Sequence, residues 1–330
     1  MPKRSADLSY YRDKKILITG GLGYVGSAVI SRLKSVACTI IVVDKQKRDL
    51  ALCGAAAKIS LREVDIQEQG IWNDLLKGVD CVFHFASQTS AKAADEDPFR
   101  DIKINLLPAL HMIDTCQKNG FTPQIIFSGT VTEAGLTATY PVNEDFRDAP
   151  ITVYDINKLA VEKYLYYYSR QPKRSALTLR LANVYGPGPE SSSADRGVLN
   201  RMIQRAVRGE PITIYGQGDF VRDYIYIDDV ARAFLTAGAG SGTGVLKESH
   251  YLIGSGRGAT IKEAFTLARD LASAKTGKRS EIKHLPLPEG LSPIECRNFV
   301  ADASRFSAST GWQPEVGLTQ GIERTIDHYR

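Results

Sequence analysis

The stretch Thr19-Gly20-Gly21-Leu22-Gly23-Tyr24-Val25-Gly26 narrows what this chain can fold into more than any other. Lys15-Ile16-Leu17-Ile18 precedes it, a short apolar run with the look of a buried parallel strand. Tyr24 to Leu33 follows, with Val25, Val29, Ile30 and Leu33 at helical spacing. Strand, glycine turn and helix in this order is the setting in which a glycine pattern serves as a dinucleotide site. Glycines let the backbone turn tightly and approach a pyrophosphate, whose charge then rests on the unpaired amides of the helix N-terminus. The glycines fit either Gly20-x-x-Gly23-x-x-Gly26 or Gly21-x-Gly23-x-x-Gly26. The motif alone also suits plain strand–helix packing; its flanks favour the cofactor.

The same turn opens a longer alternation. Strand-like runs at Thr39–Asp44, Ile59–Val64, Asp80–Phe85, Pro123–Ser128 and Leu177–Ala182 are separated by helical ones, chiefly Pro98–Lys118 and Thr152–Ser169. That pattern predicts an α/β fold, a doubly wound parallel sheet of the Rossmann type with right-handed crossovers. Past Gly186-Pro187-Gly188-Pro189 and Ser191-Ser192-Ser193 the alternation breaks, and a smaller C-terminal α/β lobe is expected. The expected division is 1–182 for the dinucleotide lobe, with 223–254 returning to it, and 183–222 with 255–330 for the substrate lobe.

Composition excludes several function classes. The chain has 330 residues, 43% of them hydrophobic, enough for one large domain and a companion. A net charge of +5 is too mild to suggest nucleic-acid binding, and charged stretches such as 45–49 and 170–174 suit solvated loops. Cys38, Cys53, Cys81, Cys116 and Cys296 are scattered, with no spacing of a metal site or a disulfide framework. Neither a signal-peptide core nor a run of membrane-spanning length is visible. The expectation is a cytoplasmic protein without metal or membrane partner.

Two local patterns add chemistry. Asp44 ends the second strand about 20 residues past the turn, where an acid accepts hydrogen bonds from ribose hydroxyls and repels the extra phosphate of NADP. NAD is therefore the expected cofactor, although Lys45, Lys47 and Arg48 keep NADP open, and a turn-capping Asp is the plainer alternative. Tyr154 and Lys158 stand at i and i+4 on one helix face. A cation ~4 Å from a phenol, at an effective dielectric of ~20, is worth ~4 kcal/mol and would draw a tyrosine towards neutral pH. There it can take a proton from a sugar hydroxyl and return it. An ordinary exposed pair has the same spacing.

These motifs, with Asp65-Ile66, His84-Phe85-Ala86-Ser87, Asn105, Ser128-Gly129-Thr130, Arg180-Leu181-Ala182-Asn183-Val184-Tyr185-Gly186-Pro187-Gly188, Arg222-Asp223-Tyr224 and Gly311-Trp312-Gln313-Pro314, run nearly end to end. In order and spacing the chain resembles the extended short-chain dehydrogenase/reductase family, in the branch that modifies nucleotide-linked sugars. The resemblance implies that Gly20, Gly23, Tyr24, Val25, Gly26, Asp44, Asp65, Ile66, Phe85, Ala86 and Ser87 hold NAD, and that Lys158 holds the nicotinamide ribose while tuning Tyr154. It further implies that Thr130 hydrogen-bonds the reacting oxygen and that Thr132, Asn183, Arg222 and Arg297 meet the nucleotide-diphosphate sugar. Asn105 and Asn183 as packing residues, and Arg297 as a surface ion pair, are the plainer alternatives. A homodimer through the long helices 98–118 and 152–169 is the family's common arrangement.

One departure bears on the reaction. Where the family carries a Val-Tyr-Gly ending after Thr130, this chain has Val131-Thr132-Glu133-Ala134-Gly135. The acid pair of the dehydratases is missing, and Thr132 stands where the decarboxylases have Glu, with Glu133 one step away. The expected reaction is NAD-dependent epimerisation, at C4, through a transient keto-sugar. The alternatives are a ketoreductase, a decarboxylase, or a non-catalytic NAD sensor; the last commonly lacks the Tyr and Lys found here.

Overall fold

Residues 8–46, 55–189 and 197–330 are described by the computed structural model. Lys47, Arg48, Cys53 and Ser191-Ser192-Ser193 lie outside them. The first half runs β1 (Lys15–Thr19), α1 (Tyr24–Leu33), β2 (Thr39–Asp44), β3 (Lys58–Glu63), α2 (Trp72–Leu76) and β4 (Cys81–His84). It continues through α3 (Ala91–Glu96), α4 (Pro98–Asp101), α5 (Leu107–Asn119), β5 (Gln124–Thr130), α6 (Val153–Ser169) and β6 (Ser175–Leu181). The second half comprises β7 (Asn183–Tyr185), α7 (Val198–Arg208), β8 (Ile212–Tyr215), β9 (Val221–Tyr226), α8 (Ile227–Gly242) and β10 (His250–Ile253). It closes with β11 (Gly258–Thr260), α9 (Ile261–Thr276), β12 (Ile282–Leu285), α10 (Ser304–Thr310) and α11 (Leu318–Tyr329).

Seven parallel strands form the main sheet in the order β10-β6-β5-β4-β1-β2-β3. Central β1 and β4 carry Ile16, Leu17, Ile18, Val82 and Phe83 with no exposure, as strands covered on both faces must. Edge strand β3 is largely exposed and reads Lys-Ile-Ser-Leu-Arg-Glu, polar enough to sit at a margin. One core packs α1 and α8 on one face; a second packs α2, α5 and α6 on the other. The strand order reverses between β1 and β4, and in open α/β sheets ligands bind outside the carboxyl ends at that point.

A third core lies in the smaller lobe among α7, α9 and α11. Strand β9 belongs there, in a three-stranded sheet with β7 and β11, whereas β10 pairs with β6 of the main sheet. The helical stretch expected over 98–118 has an irregularity: Ile102–Leu106 is a π-helical turn between α4 and α5. Such bulges are frequent at functional sites, and buried Asn105 lies within this one.

Candidate active site

The glycine turn is built by close approach. Gly20 lies in the left-handed region at φ +65, and a side-chain carbon on it would stand 2.6 Å from the Ala86 amide. On Gly26 it would stand 2.4 Å from the Gly20 carbonyl, which cannot yield because it is backbone. Gly23 starts α1 with no side-chain cap, leaving the first amides of a ten-residue helix for an anion. The cradle therefore fits a pyrophosphate. Gly26→Ala is expected to destabilise the fold by about 1–3 kcal/mol and to weaken NAD binding, checked by thermal unfolding and calorimetric titration.

Around the turn, the Asp44 carboxylate accepts from the amides of Leu22 (3.1 Å) and Gln46 (3.0 Å). It caps the turn, and a carboxylate that accepts two bonds keeps lone pairs to spare, so the capping role and a ribose role are compatible. The Tyr24 hydroxyl donates to the Gly186 carbonyl at 2.6 Å and accepts from Asn200, tying the turn to the smaller lobe. Asp65 folds back on the amide and side chain of Gln67, and Ile66 is buried with its carbonyl on the Trp72 indole. The Phe85 ring turns into the core, 4.7 Å from the Phe234 ring, so what it offers a cofactor is backbone.

Thr130 ends β5, and Tyr154 and Lys158 lie in the first turns of α6. Thr152 starts that helix by capping Asp155 N. Tyr154 is buried beside Ala91, Ala94 and Val153. Lys158 is 3% exposed; its ammonium sits 3.4 Å from Ser87 Oγ, 4.3 Å over the Phe127 ring and 5.9 Å from the Tyr154 ring centre. Burial pulls this lysine down to about 8, against the opposing pull of Glu133 and Asp101. The pair is buried, which removes the alternative of an ordinary exposed one.

Behind Lys158 lies a polar network the sequence did not reveal. Ser87 Oγ donates to Asn105 Oδ1, and Asn105 Nδ2 donates to Asp101 Oδ1, each at 2.8 Å. Asp101 also accepts from Gln88 Nε2 (2.8 Å) and Asn157 Nδ2 (2.7 Å). After Glu133, this buried acid is the second counter-charge that keeps Lys158 from losing its proton lower still. The i,i+4 spacing of Asp101 and Asn105 was the one available signal. His84, fully buried on β4 against Thr19 Oγ1 at 2.7 Å, is pushed down to about 3 by burial and then by Lys158, so it stays neutral.

One expectation changes, that for Thr132, and the reading of Glu133 as no stand-in for the decarboxylase acid is kept. Thr132 is buried, with its hydroxyl between Thr130 (2.8 Å) and Asp155, so it does not face a substrate. Glu133 points into the core: Oε1 accepts the Thr130 amide at 2.9 Å and Oε2 lies 3.0 Å from Arg180 Nε. No carboxylate of this segment is therefore offered to a sugar ring.

In the smaller lobe Asn183, Arg222 and Arg297 come together. Arg297 NH2 is 3.5 Å from Asn183 Oδ1, and Arg222 donates to the carbonyls of Val221, Glu295 and Arg297. Arg297 is buried, which removes the reading of it as a surface ion pair. Arg222 clamps the segment that carries Arg297 through the carbonyls of Glu295 and Arg297.

The model of the NAD dependent epimerase/dehydratase family matches residues 16–254. The chain is 27% identical over 321 residues to a UDP-glucose 4-epimerase of Mycolicibacterium smegmatis, covering 96% of this chain and 98% of that one. It is similar in structure to the UDP-glucose 4-epimerase of Thermotoga maritima with UDP-glucose, at a TM-score of 0.82 and 30% identity over 96% of this chain and 98% of the other. For the Thermus thermophilus UDP-glucose 4-epimerase complex with NAD the values are 0.80 and 28%, over 96% and 98%.

Proposed function

Because the chain belongs to the NAD-dependent epimerase/dehydratase family and catalyses NAD-dependent epimerisation of a nucleotide sugar, we propose that the reacting centre is C4 and the carrier a uridine diphosphate. The observation that carries the catalytic reading is the buried Lys158 beside Tyr154, one turn apart on α6 and next to the end of β5. NAD, when bound, supplies a place to hold the hydride between its removal from the sugar carbon and its return. Tyr154 takes the hydroxyl proton and gives it back, and the Lys158 charge stabilises the phenolate in between. Thr130 hydrogen-bonds the reacting oxygen. Arg297 and Asn183 meet the diphosphate at the crevice between the main sheet and the smaller lobe, and Arg222 holds the segment that carries Arg297.

A homodimer belongs to the same reading. Ile156, Tyr164 and Tyr167 lie exposed along α6, and Phe99 at the start of α4 is 78% exposed, an apolar stripe suited to a two-fold partner. Among the described residues no helix is long and apolar enough to cross a membrane, and a place in cytoplasmic carbohydrate metabolism fits this chemistry.

The test is a panel of nucleotide sugars followed by proton NMR. UDP-glucose and UDP-galactose are expected to interconvert with no net consumption of cofactor. Stoichiometric oxidation of added NADPH with a keto-sugar nucleotide would replace the reading by a ketoreductase. Carbon dioxide released from UDP-glucuronate would replace it by a decarboxylase.

A further inference from the structure

We propose that Asn200 and Tyr24 are positioning residues that tie the smaller lobe to the cofactor's glycine turn, so that a nucleoside diphosphate bound on that lobe holds NAD in its cradle. The proposal rests on the reading above that the smaller lobe takes the diphosphate. Its basis is a closed ring of three hydrogen bonds at the seam between the lobes. The Gly186 amide donates to Asn200 Oδ1 at 2.9 Å, and Asn200 Nδ2 donates to the Tyr24 hydroxyl at 2.9 Å. That hydroxyl in turn donates to the Gly186 carbonyl at 2.6 Å.

Only one arrangement of protons closes the ring. A backbone amide can only donate, so the Asn200 atom that faces it is the oxygen. The Asn200 nitrogen then faces Tyr24, and because it can only donate, the phenol oxygen accepts. The single phenol proton is left for the Gly186 carbonyl, which can only accept. Burial pushes the phenol's pKa up, against the smaller opposing effect of the Asn200 bond, so that proton is in place at neutral pH. Two of the three bonds cross from the glycine turn to the smaller lobe, and both end on the Tyr24 oxygen.

Each end of the tie leads to a ligand. Tyr24 is the first residue of α1, so its own amide is among those the helix leaves for the pyrophosphate. Its ring packs on the core of the smaller lobe, and a side-chain carbon on Gly188 would stand 2.6 Å from that ring. Gly186 follows directly on β7, whose first residue, Asn183, lies 3.5 Å from Arg297. Asn200 stands in the first turn of α7. A diphosphate that fixes Asn183 therefore also fixes, one short strand away, the carbonyl that holds Tyr24.

The experiment starts from the NAD-loaded enzyme and measures the rate of NAD release, with and without saturating UDP. Wild type, Tyr24→Phe and Asn200→Ala are compared, with melting temperature recorded for each. UDP should slow release from wild type by about fivefold or more, the lower end of ordinary coupling between two sites. Tyr24→Phe keeps the ring beside Gly188 and deletes both crossing bonds, so the ratio of the two rates should fall below about twofold. Asn200→Ala deletes one crossing bond and should give a ratio between those two. A tie that served stability alone would speed release equally with and without UDP and leave the wild-type ratio. An unchanged ratio in either variant, or UDP that binds wild type in calorimetry without slowing release, would overturn the proposal. Should Asn200→Ala fold poorly, Tyr24→Phe, which loses a single oxygen, decides alone. UDP that fails to bind at all would overturn the diphosphate reading and the proposal with it, a result distinct from the others.

Discussion

Tyr154→Phe is expected to lower kcat by about 10²–10⁴-fold, the usual contribution of a positioned proton-transfer group, while KM for the nucleotide sugar and the melting temperature stay close to wild type. The substitution deletes one oxygen from a ring otherwise packed on Ala91, Ala94 and Val153, so the helix that carries it keeps its contacts. Lys158, over the Phe127 ring and beside Ser87, also keeps its place. Loss confined to kcat therefore reports the missing proton carrier and not a damaged pocket. The wild-type pH profile makes a companion check. Lys158 sits at about 8, so it is charged below that pH and loses its proton above it. Activity that needs the cation should decline as pH rises through about 8. Turnover of Tyr154→Phe at the wild-type rate would remove Tyr154 from the mechanism.

What a single sequence disclosed and what it hid follow from the range of the interactions. The glycine turn is local: Gly20, Gly23 and Gly26 fall within seven residues, and their constraint is a backbone one that only glycine meets. Tyr154 and Lys158 were visible for the same reason, since one helical turn brings them onto a common face. The strands of the main sheet showed as apolar runs because β1, β2, β4 and β5 are covered on both sides. The supporting groups were out of reach. Asp101 meets Asn157 across 56 positions of chain, and Thr132 meets Asp155 across 23. Each reads on its own as an ordinary polar residue of a loop or helix, and no periodicity links the partners. Thr132 was expected at the substrate for this reason: its position follows Thr130 closely, but the 3₁₀ turn of Val131–Ala134 swings it inward. Likewise Arg222 was expected on the ligand, and the structure turns its donors onto the backbone of the neighbouring segment.

The ion cluster behind β5 gives the largest expected effect on stability. Replacing Arg180 by Met should cost about 3–5 kcal/mol, the penalty for removing one partner of a buried ion pair. Its side chain is 4% exposed and contacts Glu133 Oε2 at 3.0 Å, Glu162 Oε1 at 2.7 Å and Asp148 Oδ1 at 2.6 Å. Methionine matches much of the volume but neutralises nothing, so two buried carboxylates would be left to repel each other. Lys163 relieves only the outer part of the cluster, through Asp148 at 2.9 Å and Glu162 at 3.3 Å. His250 faces Glu162 as well, but burial lowers its affinity for a proton. The two glutamates differ already in the wild type. Burial, then Glu162 beside it, raises Glu133; burial opposes Glu162 too, yet the bonds and charge of Arg180 hold it below the ordinary range. Without Arg180 both would move up. A carboxyl raised in the folded state takes up a proton on folding, so its penalty disappears below the unfolded value and grows as pH rises towards the folded one. The deficit of Arg180→Met should therefore be larger at pH 8 than at pH 5, measured by urea unfolding at both. Because Glu133 also holds the Thr130 amide at 2.9 Å, a displaced Glu133 would loosen the end of β5 where Thr130 stands. A deficit below about 1 kcal/mol at pH 8, the range of an exposed pair, would mean that the cluster is solvated well enough to need no cation. In that case Arg180 would hold the strand end by packing alone.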